Sequence, residues 1–178
     1  MIEQLNEQAV KDKVRNAIKH LLQRDRFLLE KDVNERSISH RLALYLQSEF
    51  GDEWDVDCEY NRDHDIKKEL TMLPRPIETD DTTATTVFPD IIVHRRGTHD
   101  NNLLVIEMKK STNLQKRAKN FDLDKLHAFR QERYHYQYAL YLQFKTEFSP
   151  GIDEVQWNGE ELIIMVDDDK VYQKSVLS

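Results

Sequence analysis

Three charged residues stand out by type and spacing: Asp90, Glu107 and Lys109. Glu107 and Lys109 are two apart, and on a strand side chains two apart share a face. Asp90 opens the apolar run Ile91-Ile92-Val93, and the run Leu103-Leu104-Val105-Ile106 leads into Glu107. Between the runs lies the breaker cluster Gly97-Thr98-His99-Asp100-Asn101-Asn102, so a hairpin turning there sets Asp90 across from the Glu107–Lys109 end. Two carboxylates are hard oxygen ligands of the kind that Mg²⁺ or Mn²⁺ takes while keeping several waters. An amine on the same face can orient or help deprotonate an attacking water and offset negative charge developing on a phosphoryl group.

The elements that must hold these residues follow from the apolar pattern. On the second strand Leu103 and Val105 are expected to share the face of Glu107 and Lys109, with Leu104, Ile106 and Met108 opposite. Both faces are then apolar for most of the strand, which suits a central, covered position. A helix is predicted over 3–30 from the recurrence of Leu5, Ala9, Val10, Val14, Ala17, Ile18, Leu21 and Leu22. A second is predicted over 36–50, with Ile38, Leu42, Leu46 and Phe50 inward, Asp32 or Asn34 as N-cap and Gly51 as stop. Glu35 extends the inward stripe at the start of that helix. It reads either as a first-turn acid favoured by the helix dipole or as a third carboxylate of the site.

Elsewhere, residues 55–62 alternate as a strand, with Val56, Cys58 and Tyr60 on one face. Residues 63–87 are polar, contain Pro74 and Pro76, and read as an irregular insertion. After the hairpin, 111–120 reads as a basic loop and 122–130 as a helix with Leu123, Leu126, Ala128 and Phe129 inward and Lys125 nearby. Residues 136–144 read as an aromatic strand, 151–160 as a turn, and Leu162–Val166 as a last strand ending in Asp167-Asp168-Asp169.

Composition excludes several classes. A chain of 178 residues that is 39% hydrophobic and 33% charged reads as one globular domain. No apolar run approaches the ~20 residues of a membrane span, and the charged start lacks a signal-peptide core. The single Cys58 rules out an internal disulfide framework and fits a cytoplasmic setting. Four glycines leave little for phosphate-cradling loops, and there is no GxSxG, P-loop or GxGxxG. His94 and His99 have no partner pair for a zinc site. The net charge of −7 is unevenly spread: residues 91–145 carry 11 Lys+Arg against 5 Asp+Glu, a local +6 around the hairpin. That excess makes Arg95, Arg96, Lys110, Lys116, Arg117 and Lys119 the expected phosphate contacts.

Pro89-Asp90 followed by Glu107-x-Lys109 is the PD…(D/E)xK pattern, and the chain resembles the PD-(D/E)xK nuclease superfamily. The resemblance runs from about Glu35 to Phe144 and includes the order helix–strand–strand–strand–helix–strand. It implies a restriction-endonuclease-like α/β fold, a mixed central sheet flanked by helices, and hydrolysis of phosphodiester bonds, most simply as a DNA endonuclease of restriction, defence or repair. It implies catalytic roles for Asp90, Glu107, Lys109 and Glu35. It also implies a Mg²⁺ or Mn²⁺ ion held by Asp90, Glu107, the backbone carbonyl of Met108 and Glu35. Gln137-x-x-x-Tyr141 is similar to an exonuclease-branch motif that belongs on a helix, whereas the alternation here points to a strand. Specificity in so small a chain can come from a homodimer or from a partner protein. Two competing expectations are a catalytically silent nucleic-acid-binding module of the same fold and a protein–protein adaptor, and metal binding at the hairpin separates the adaptor from the others.

Overall fold

The computed structural model describes residues 5–60, 62–63, 66–67, 69–70, 85–86, 88–97, 101–113, 116–131 and 134–162. Helix α1 (Glu7–Arg24) begins where the Asn6 side chain accepts the Ala9 N–H at 2.8 Å, and it buries Val10, Val14, Ala17, Ile18 and Leu21 as one stripe. The single helix expected over 3–30 breaks at Asp25, and α2 is Arg26–Glu30. Asp25 leaves helical geometry, and its carboxylate accepts from Arg41 at 2.8 Å and from the Tyr45 hydroxyl, both on the next helix. Helix α3 (Glu35–Phe50) has the expected caps: Asn34 accepts from the Ser37 N–H at 2.8 Å, and Gly51 ends the helix at φ +73°.

The strands are β1 (Asp55–Cys58), β2 (Arg62–Asp63), β3 (Ile66–Lys67), β4 (Glu69–Leu70), β5 (Thr85–Thr86), β6 (Ile91–His94), β7 (Asn102–Lys110), β8 (Tyr138–Lys145), β9 (Gly151–Trp157) and β10 (Glu160–Glu161). The short β2–β3 and β4–β5 pairs stand apart in the chain's polar insertion, the rest of which lies outside the described residues. The main sheet runs β1-β6-β7-β8-β9-β10. Among the described strands only β7 and β8 pair in parallel, which requires a crossover, supplied by a 3₁₀ turn (Ser111–Asn113) and α4 (Lys116–Gln131). The fold is therefore α/β with a mixed six-stranded sheet, as expected. The basic stretch read as a loop over 111–120 is instead that turn and the opening of α4.

Helices pack on both faces. On one side α1 and α3 bury a large core with Ile91, Val93, Leu104, Ile106 and Met108. On the other, Phe129 and Leu126 of α4 pack with Ile92, Val105, Tyr134, Tyr136 and Tyr141. The expected face of Leu103 is corrected: it joins the α1–α3 core, because a bulge at Val93/His94 pairs His94 with Asn102 and shifts the register. Tyr60 is corrected likewise. It packs under α4 while Val56 faces the opposite core, because Glu59 at φ +48° turns the chain between them.

The turn expected over 151–160 is a strand followed by a two-residue turn at Asn158 (φ +55°) and Gly159 (φ +90°). Positive φ at both positions is the geometry that Asn-Gly favours between antiparallel strands. Residues 163–178, which include most of the expected last strand and the Asp167–Asp169 triplet, lie outside the described residues. Among the described residues no helix is long and apolar enough to cross a membrane.

At the turn end of the hairpin, His94 is buried and its Nε2 donates to Asp57 Oδ2 at 2.8 Å, while Arg96 holds both oxygens of the same carboxylate. Burial alone would raise the Asp57 pKa, but the bonds from His94 and Arg96 override it and lower the value to about 2. Against the ordinary 3.8, this stabilisation is complete above the unfolded value and is lost as pH falls through the folded one. Asp57→Asn should cost about 2 kcal/mol at neutral pH and shrink the loss of stability between about pH 4 and pH 2, as read by denaturant unfolding. A variant with the wild-type acid limb would contradict this assignment.

Candidate active site

The β6–β7 register pairs Ile91 with Ile106, which brings Asp90 to the end of β7 as the hairpin reading expected. Asp90 Oδ2 accepts the Met108 backbone N–H at 2.7 Å, and the Asp90 carbonyl accepts from the Glu59 N–H. The side chain is thus fixed from β7 and the backbone from β1. Glu107 and Lys109 follow Val105 on the face covered by α4, and Glu107 is 1% exposed.

Two further residues of α4 complete the cluster. Lys125 Nζ lies 2.7 Å from Glu107 Oε2 and 3.3 Å from the Phe88 carbonyl, and 3.8 Å from Asp122 Oδ1. Asp122 Oδ2 in turn lies 3.2 Å from Lys109 Nζ. The sequence pattern alone assigns neither Asp122 nor Lys125 to the site. Their signal was their spacing: three apart, and seven and four before Phe129, they occupy the inward stripe of an amphipathic helix where an apolar residue is the norm.

The cluster holds three carboxylates, Asp90, Glu107 and Asp122, against two ammonium groups, Lys109 and Lys125. With all three carboxylates ionised, as a bound cation would favour, one negative charge is left over. Burial, and then the neighbouring Asp90, push the Glu107 pKa well above the ordinary carboxylate value despite Lys125. Burial also raises Asp90, with the Met108 N–H and both lysines pulling the other way. Burial works against the charge of Lys109, but Asp122, Glu35 and Asp90 override it and keep it cationic. Glu107 Oε1 is buried without a hydrogen-bond partner. An orphaned carboxylate oxygen, hard donors and one surplus negative charge fit a divalent cation. Among the described residues no three His, Cys, Asp or Glu side chains converge as a ready ligand set.

Glu35 reaches the same strand end from the α3 side. Its Oε2 accepts the Lys110 N–H at 3.0 Å, and its Oε1 accepts from Asn113 at 3.2 Å. The first-turn acid of α3 is therefore a tie between helix and strand that also bears on Lys109. The six expected phosphate contacts are dispersed. Lys110 is buried, with Nζ 3.0 Å from Asp32 Oδ1. Lys119 pairs with Glu154. Arg95 and Arg96 sit at the opposite end of β6, facing Glu53, Asp55 and Asp57. The side chains of Lys116 and Arg117 lie outside the described residues. Tyr141 is on strand β8 beside Glu107, as the alternation indicated.

Comparison with protein-family models, with curated proteins and with solved structures returns no match for this chain.

Asp90 and Glu107 have folded pKa values above the ordinary 3.8 and 4.5, so the metal-free folded protein keeps protons that the unfolded chain has lost. Stability is greatest below those ordinary values and declines as pH rises through the raised ones. In EDTA the melting temperature should fall as pH rises above the ordinary carboxylate range, and Asp90→Asn should flatten the dependence. Thermal unfolding followed by circular dichroism reads both. An unchanged slope in Asp90→Asn would remove Asp90 from the titrating cluster.

Proposed function

We propose that this protein is a divalent-metal-dependent nuclease of the PD-(D/E)xK, restriction-endonuclease-like kind, acting on DNA phosphodiester bonds as an endonuclease. The observation that carries the reading is the buried cluster at the end of β7, three carboxylates against two ammonium groups with one Glu107 oxygen unpartnered. A purely structural cluster gains nothing from surplus buried charge, whereas a cation site needs it.

Asp90, Glu107 and the Met108 carbonyl would hold Mg²⁺ or Mn²⁺, which when bound supplies charge for the phosphoryl oxygens and for the attacking water. Asp90, which would bind the cation, has its side chain already held at the end of β7 by the Met108 N–H. Lys109, kept protonated by Asp122, Glu35 and Asp90, acts as a donor that orients the water and offsets charge on the phosphate, not as the base. Asp122 holds the Lys109 amine in place. Glu35 ties α3 to the end of β7 and adds negative potential beside Lys109. The cation-rich stretch 91–145 remains the proposed nucleic-acid side, with Lys116 and Arg117 its leading candidates.

The test is incubation of the full chain with plasmid and single-stranded DNA in Mg²⁺, Mn²⁺ and EDTA. Cleavage should require metal. Asp90→Ala should lose about 10³-fold in rate together with metal affinity. Lys109→Ala should lose roughly 10²-fold or more in rate while keeping or gaining metal affinity by calorimetry. Wild-type turnover by Asp90→Ala would end the nuclease reading, and metal binding without cleavage would leave the silent DNA-binding module.

A further inference from the structure

Lys125 is the one member of the cluster for which the reaction above has no use. Its ammonium is nonetheless the best coordinated group there. It is buried, and it faces three hard oxygens from three parts of the chain: Glu107 Oε2 at 2.7 Å, the Phe88 carbonyl at 3.3 Å and Asp122 Oδ1 at 3.8 Å. Asp90 adds its field from the same side, and Lys109 of β7 is the other cation facing the group. A carboxylate, a backbone carbonyl and a second carboxylate form the surroundings that a small divalent cation also takes.

We propose that Lys125 is the resident counter-ion of this site: its ammonium holds Glu107 through Oε2, competes with a divalent ion for that carboxylate, and is displaced from it when the ion enters. The inference rests on the reading that Asp90 and Glu107 take a divalent cation. Metal binding is then an exchange, one cation leaving the oxygens of Glu107 as another arrives, and not an addition to an empty site. The exchange has a physical reason. The buried carboxylates Glu107 and Asp122, beside half-buried Asp90, are costly without a counter-ion, and a tethered ammonium offsets that cost whenever metal is scarce. The same ammonium weakens metal binding, since the entering ion must break the contact with Glu107. Lys125 thereby sets a threshold of metal concentration for the site. It is a positioning residue and not a catalytic one, because it acts through Glu107.

The test is Mn²⁺ titration of the full chain by calorimetry near pH 8, with fold checked by circular dichroism. Lys125→Met keeps a long apolar stem in the same space and removes the ammonium. It should bind Mn²⁺ about tenfold tighter or more, as expected when a unit charge a few ångströms from the ion is removed. The double variant Lys125→Met/Asp122→Asn controls for net charge. It has two carboxylates and one ammonium, the same surplus of one negative charge as the wild type, and it keeps the experiment decisive if the single variant fails to fold. Exchange at the site predicts that the double variant also binds tighter than wild type. A double variant equal to wild type would reduce Lys125 to general electrostatics and overturn the proposal. Weaker binding by a folded Lys125 variant would overturn it too, making the lysine a fixed support of Glu107. If no form binds Mn²⁺, wild type included, the metal site itself falls and this inference falls with it. Tighter binding in both variants, with wild type measurable, establishes the exchange.

Discussion

A carboxylate cannot be buried among other carboxylates without something positive nearby, and that constraint organises the end of β7. Glu107 is carried inward by strand alternation, on the face of Val105, and is 1% exposed. Once it is there, α4 must present a cation above it, and Lys125 does so. Asp122, one turn earlier, then holds Lys109, so each lysine is matched to an acid on the other element. The pairs lock α4 to the sheet along the polar half of its inward stripe, while Leu126 and Phe129 lock the apolar half. Helix docking and site electrostatics are one arrangement. That is why charged residues occupy positions that packing alone would fill with leucine.

Topology brings the pieces together. The parallel β7–β8 pair forces the chain to cross over the sheet between them, and α4 is that crossing. The helix begins soon after β7 ends, so its first turns pass above the carboxyl end of the strand, the usual place for ligand sites in open α/β sheets. On the reverse face α3 starts at Glu35 and reaches the same strand end through the Lys110 N–H. Asp90 arrives from the antiparallel neighbour. The consecutive elements β6, β7 and α4 thus converge with the distant α3 because one strand ends between two helix starts.

Much of this was legible from local pattern. Asp90, Glu107 and Lys109 are joined by one hairpin, so two apolar runs and a breaker cluster were enough to bring them together. The caps Asn34 and Gly51 were readable because their chemistry is local. What escaped depended on distant partners or on single residues that switch a face. Asp25 breaks the first helix for the sake of Arg41 and Tyr45, and nothing within residues 20–30 announces them. Leu103 and Tyr60 changed faces through a bulge and a left-handed residue, since a period-two reading carries every later side chain with it. Strand β9 was hidden by Asp153 and Glu154, although Asn158-Gly159 is a strong hairpin signal. Lys125 and Asp122 looked like ordinary surface charge until the sheet beneath them was known. The segment's surplus of positive charge, read as a phosphate-binding face, includes Lys110 and Lys119, whose partners Asp32 and Glu154 lie far off in sequence.

The hydrogen bond from the Glu59 N–H to the Asp90 carbonyl has a consequence for how this chain can vary over evolution. It extends the β1–β6 ladder by one bond, so the two ends of the intervening stretch are held together by the sheet, while Asp90 itself is oriented from β7. The entropy of closing a loop grows only with the logarithm of its length, so doubling such a stretch costs about 0.6 kcal/mol. Its length is therefore almost uncoupled from the position of Asp90. Descendants of this chain can lengthen that stretch between Tyr60 and Phe88 without moving the carboxylate on which the site is built.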